Sequence, residues 1–62
     1  MCLSTVYNEK HELLAKNVAT VKAEMGRLVF IDIMGIPLTV QGIIEKVDLM
    51  ENEIFIRQEK SA

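Results

Sequence analysis

Arg27-Leu28-Val29-Phe30-Ile31-Asp32-Ile33 is the stretch that decides the fold. β-branched and aromatic residues dominate it, and it is bounded by turn formers, Met25-Gly26 before and Met34-Gly35-Ile36-Pro37 after. Apolar residues occupy both phases of the alternation near its centre, so the segment reads as a central strand covered on both faces. Upstream, Val18-Ala19-Thr20-Val21-Lys22-Ala23 reads as a partner strand that places Ala19, Val21 and Ala23 on one face under a period of two. Lys16-Asn17 is expected to turn the chain between that strand and a return strand opening at Leu13 and Leu14. Asn8-Glu9-Lys10-His11 is a hairpin loop after a first strand over residues 3–7, where Thr5, Val6 and Tyr7 favour extended backbone.

Downstream, Leu38 and Val40 alternate with Thr39 and Gln41, and Pro37 belongs at the beginning or edge of that strand because it donates nothing to a ladder. Gly42 marks a bulge or sharp bend, after which residues 43–49 continue extended. Met50-Glu51-Asn52 closes a last hairpin with Ile54 and Ile56 inward and Phe55 and Arg57 opposite, and residues 58–62 are expected to fray. A helix over residues 9–23 competes, since Leu13, Leu14 and Val18 lie near helical spacing; Val18, Thr20 and Val21 favour the strand. The expected fold class is all-β, a small antiparallel SH3- or Sm-like barrel of about six strands, with residues 1–62 as one domain.

Sixty-two residues leave room for only a small core, yet half of the chain is apolar. The excess apolar surface is expected to meet another subunit in a homodimer. Seven basic against nine acidic side chains give a net charge of −2, which repels a phosphate backbone, so nucleic acid is disfavoured as a partner. No signal-peptide pattern opens the chain and no apolar run reaches the ~20 residues of a membrane span, so the expected location is cytoplasmic, with no membrane partner. One cysteine per chain permits no internal disulfide.

That cysteine, Cys2, is the residue with the clearest chemistry. Cells commonly remove an initiator methionine before so small a side chain, and removal of Met1 would put a thiol and a free α-amine on one carbon. The pair forms a bidentate S,N chelate suited to soft or borderline metals, square-planar Ni(II) and Cu(II) among them. The plainer role for a free cysteine is that of a small buried hydrophobe. His11 is the sole imidazole, but Leu3 holds the third position where an amino-terminal nickel or copper chelate wants histidine. A solvated loop role suits His11 better. Met25, Met34 and Met50 adjoin turns or apolar runs and are expected to pack rather than to bind Cu(I).

Nothing in the sequence assembles a catalyst. Asp32, Glu45 and Asp48 are expected to serve turn hydrogen bonds or edge-strand solubility rather than acid/base chemistry. Ser4 and Thr5 have no evident base, and neither a phosphate-binding glycine loop nor a calcium-loop spacing is present.

The opening Met1-Cys2-Leu3-Ser4-Thr5-Val6-Tyr7, the run Val18-Ala19-Thr20-Val21 before Gly26, the Gly35 turn and Ile44-Glu45-Lys46-Val47-Asp48-Leu49 before the last hairpin resemble the CooT family. These are very small proteins linked to maturation of the nickel centre of carbon monoxide dehydrogenase. Chaperones of the HypC family share the Met-Cys start but usually carry Pro-Gly soon after it, which Ser4-Thr5-Val6 lacks. The resemblance implies a homodimeric β-barrel that binds Ni(II) through Cys2, a client metalloenzyme as partner, and an accessory rather than catalytic role. Two S,N chelates related by a two-fold axis would supply a square-planar S₂N₂ set, with the α-amine or the Cys2 backbone nitrogen as the nitrogen donor. The competing reading uses the same barrel as an interaction module for RNA or a protein. RNA binding wants a basic face and stacking aromatics, whereas the charge is acidic and Tyr7 is the aromatic most expected to be exposed.

Overall fold

The computed structural model describes residues 2–59. Five strands follow one another: β1 (Ser4–Tyr7), β2 (Leu13–Glu24), β3 (Arg27–Asp32), β4 (Pro37–Asp48) and β5 (Glu53–Gln58). Neighbours in sequence pair antiparallel, and β1 closes the ring by pairing parallel with β5, Thr5 opposite Glu53 and Tyr7 opposite Phe55. The closure departs from the all-antiparallel expectation. A ring joins its first strand to its last, and with five strands their directions coincide.

The expected sixth strand is absent among the described residues. Lys16-Asn17 reverses nothing; β2 runs unbroken through it as a twelve-residue strand, with Asn17 at φ 55°. Between the pairs Ser4–Val18 and Val6–Ala15 the register gains one residue on β2, so an asparagine that tolerates positive φ serves a bulge instead of a turn. Its carbonyl accepts from Ile33 N at 2.9 Å, which ties the bulge to the end of β3. The helical alternative over residues 9–23 is likewise replaced by β2.

β4 is also long, and it serves two partners. Its first part pairs with β3 as far as Gln41–Arg27, and from Gly42–Gln58 onward it pairs with β5. Gly42, where the sequence suggested a bulge or bend, is where β4 exchanges β3 for β5, and a Cβ there would collide with the Arg57 carbonyl. The bulge itself sits at Glu45, between the pairs Ile44–Ile56 and Lys46–Phe55. Pro37 opens β4 as expected.

The core is Val6, Val18, Leu28, Phe30, Ile54 and Ile56, with Leu14, Ala15, Val21 and Val40 packed against it. β3 lies between β2 and β4, yet it is covered on one face: Leu28 and Phe30 are buried, while Val29 and Ile31 are half-buried and Ile33 is exposed. On β2, Val21 and Ala23 share the face of Phe30 and Leu28, but the register against β3 shifts at Ala19, which is exposed, and Val18 takes the buried place. Met25, Met34 and Met50 pack nothing within the chain; they are among its most exposed residues, at 100%, 80% and 92%. Ile36, Leu49 and Ile43 add further exposed apolar surface.

Gln58 belongs to β5, and Glu59 N still donates to Gln41 O at 2.9 Å, so the chain stays ordered two residues further than expected. Residues 60–62, the rest of the expected fraying tail, lie outside the described residues, as does Met1. Among the described residues no helix is long and apolar enough to cross a membrane.

Candidate metal centre

Cys2 lies two residues before β1 and its free thiol is exposed. The backbone that carries it is held from both sides. Ser4 pairs with Val18 of β2, and Thr5 N donates to Asn52 O at 2.9 Å in the turn between β4 and β5. That turn is itself fixed, because Asp48 Oδ1 accepts from Met50 N at 3.1 Å and from Glu51 N at 3.0 Å. A positive φ of 56° at Asn52 completes the reversal. The thiol is thus an accessible donor at the start of an anchored strand, and the turn that anchors this strand displays Leu49 and Met50. Within the chain it is not buried as a small hydrophobe.

Among the described residues no three His, Cys, Asp or Glu side chains converge as a metal-holding cluster. Each expected carboxylate role is accounted for. Asp48 caps its turn, Asp32 Oδ1 accepts from Met34 N and Ile36 N at 2.9 Å each, and Glu45 pairs with Arg57 across the Glu45 bulge. The donor chemistry available around Cys2 is its sulfur and the main-chain nitrogen next to it, which fits a borderline transition ion better than a hard oxygen-loving one.

His11 is exposed, as expected of a loop residue, and it lies beyond the opposite end of β1. Four strand residues at ~3.3 Å each put roughly 13 Å of strand between the two ends of β1. The loop that carries His11 is organised by Asn8, the buried polar side chain of the described residues. Its Oδ1 accepts from Lys10 N and Glu12 N at 2.9 Å each, and its Nδ2 donates to Glu12 Oε1 at 2.8 Å and to Gln58 Oε1 at 3.0 Å. His11 takes φ 61° and turns its ring edge toward Phe55 at 5.8 Å.

Sequence reasoning missed the surface this creates. Tyr7 stacks on Phe55 at 5.5 Å, and Lys46 Nζ lies 5.4 Å from the centre of the Phe55 ring. Phe55, Lys46 and His11, with Glu9, Glu45 and Ile56, line a groove of about 360 Å³. The β1–β5 pairing brings Tyr7 beside Phe55, and no local pattern signals a contact made by strands at the two ends of the chain.

The family model described as CO dehydrogenase accessory protein CooT matches residues 1–57. The chain belongs to the CooT family. A crystal structure from Carboxydothermus hydrogenoformans assigned to CooT superposes with a TM-score of 0.85 over 95% of this chain and 100% of that one, at 19% sequence identity. At that identity the CooT likeness speaks for the fold: strands in a closed ring with the amino terminus feeding the first of them. No protein of curated function matches the chain. The match to the CooT model covers Cys2, β1 and the β4–β5 turn, the whole of the candidate centre.

Proposed function

We propose that this CooT-family chain is a nickel-binding accessory protein, a small homodimeric barrel that holds Ni(II) between two copies and hands it to carbon monoxide dehydrogenase or a related metalloenzyme. Nickel here is cargo. Each copy contributes the Cys2 thiolate and either the freed α-amine or, where Met1 stays, the deprotonated Cys2 backbone nitrogen. The observation that carries the reading is the exposed Cys2 thiol at the head of an anchored strand, in a chain that the CooT model covers from its first residue.

One S,N pair leaves a four-coordinate ion half-satisfied, and a two-fold axis through the metal supplies the second pair without any further ligand. The exposed Leu49 and Met50, on the turn that anchors β1, provide apolar surface for two copies to meet. No catalytic step belongs to this role: the chain presents a soft donor pair and releases the ion to a site with more ligands.

Ni(II) titration with intact mass spectrometry tests the reading on wild type and Cys2→Ser. The expected result is saturation at one nickel per two chains with wild type and none with the variant; saturation at one per monomer would overturn the shared site. Sulfur and nitrogen must both shed protons to bind, so the apparent affinity should climb with pH across the neutral range. An affinity independent of pH would remove both donors from the model.

A further inference from the structure

β2 is paired on both sides only at Val18. From Leu13 to Val18 it has β1 on one edge, and β3 takes over the other from Val18 to Glu24. Because β1 starts at Ser4, the β1-side edge of residues 19–24 has no strand beside it among the described residues. Among the described residues this edge of β2 thus presents backbone donors and acceptors with no strand partner, as β4 does on the sides where β3 and β5 leave it, and such an edge is a template for another extended chain.

The side chains around this edge define what fits. Ala23 lies opposite Leu28 and Val21 opposite Phe30, so these two positions of the edge share the apolar face of the sheet. On that face, against Ala23 and Leu28, lies a groove of about 260 Å³ that Ile43 and Ile44 also line. Between them Lys22 points to the other face and has no ion-pair partner among the described residues, whereas Glu24 pairs with Arg27 at 3.7 Å. Small exposed side chains at Ala19 and Ala23 leave the backbone open to approach.

We propose that the edge of β2 over residues 19–24 docks an extended segment of another polypeptide by strand addition, with two apolar side chains two residues apart against Val21 and Ala23 and an acidic residue between them facing Lys22. Backbone pairing supplies the affinity and the groove and the lysine supply the selection, the division of labour usual in strand addition. This goes beyond nickel binding and is tested separately from it, since neither the edge nor the groove includes Cys2 itself.

The test uses a fluorescein-labelled eight-residue peptide, Ser-Thr-Val-Asp-Val-Thr-Ser-Gly, with full-length protein free of metal. Saturable binding is expected, with amide shifts and exchange protection concentrated in residues 19–24. The same peptide N-methylated at alternate residues should not bind, and Lys22→Glu should weaken binding about fivefold, as loss and reversal of one cross-strand charge pair does. Equal binding of the N-methylated peptide, or shifts centred on Phe55 instead, would overturn the proposal. So would light scattering that shows a dimer whose residues 19–24 are already protected without peptide, because the edge would then belong to a second copy.

Discussion

The two ends of β1 are built on opposite plans. At its far end Asn8 gathers four side-chain hydrogen bonds, Tyr7 and Phe55 stack, and His11 and Lys46 close around the ring. At its near end the anchoring is main chain alone, Ser4 on Val18 and Thr5 on Asn52, and the side chain that protrudes is a thiol. Side chains consumed in mutual contact hold a fold together. A donor left outside such contacts is free to bind something else, and under the proposed function stability and metal chemistry would be kept at separate ends of one short strand.

The sharpest way to break that contrast is Cys2→Ser. Removing the thiolate should lower nickel affinity by at least ~10³-fold, about 4 kcal/mol, since a hydroxyl is a poor ligand for a borderline ion. The unfolding temperature measured without metal should stay where it is, because the exposed thiol packs against nothing that holds the ring. A variant that unfolds early would show the near end to be structural after all.

Asn8→Ala is the converse experiment, and its effect is the next in size. It strands Lys10 N, Glu12 N and the Gln58 side chain of their partner in a part-buried place, which should cost ~2–3 kcal/mol in urea unfolding. Nickel binding per folded chain should be unchanged. Together the two variants form a double dissociation, and a substitution that moved both readouts would erase the separation.

Much of this contrast was legible in the residues, and the misses have a common physical cause. The turns at Met25-Gly26 and Gly35, the bend at Gly42, Pro37 opening its strand and the inward Ile54 and Ile56 all follow from local backbone preference and alternation, which neighbouring residues report. Asn17 misled because positive φ serves a bulge as readily as a turn, and only the register against β1 distinguishes them. The parallel β1–β5 closure, and with it the Tyr7–Phe55 stack, joins segments some fifty residues apart, where periodicity carries no information. Cys2 was singled out by its chemistry and position together with the resemblance to the CooT family. Its exposure adds what the sequence lacked, because the same residue sealed in the core would bind nothing.

His11→Gly gives the smallest effect and the finest test of where the metal site ends. Glycine relieves the left-handed backbone at φ 61° but loosens the unfolded chain and loses the edge contact with Phe55, so the terms oppose and stability should move by less than ~1 kcal/mol. Nickel affinity should stay within about twofold of wild type, less than ~0.4 kcal/mol, since His11 follows the far end of β1 and Cys2 precedes the near end. Calorimetric titration reads both the affinity and the stoichiometry. If the glycine variant instead lost nickel while keeping its fold, the imidazole of one copy would have to reach the Cys2 of another, and the two ends of β1 would be joined across subunits rather than kept apart within one.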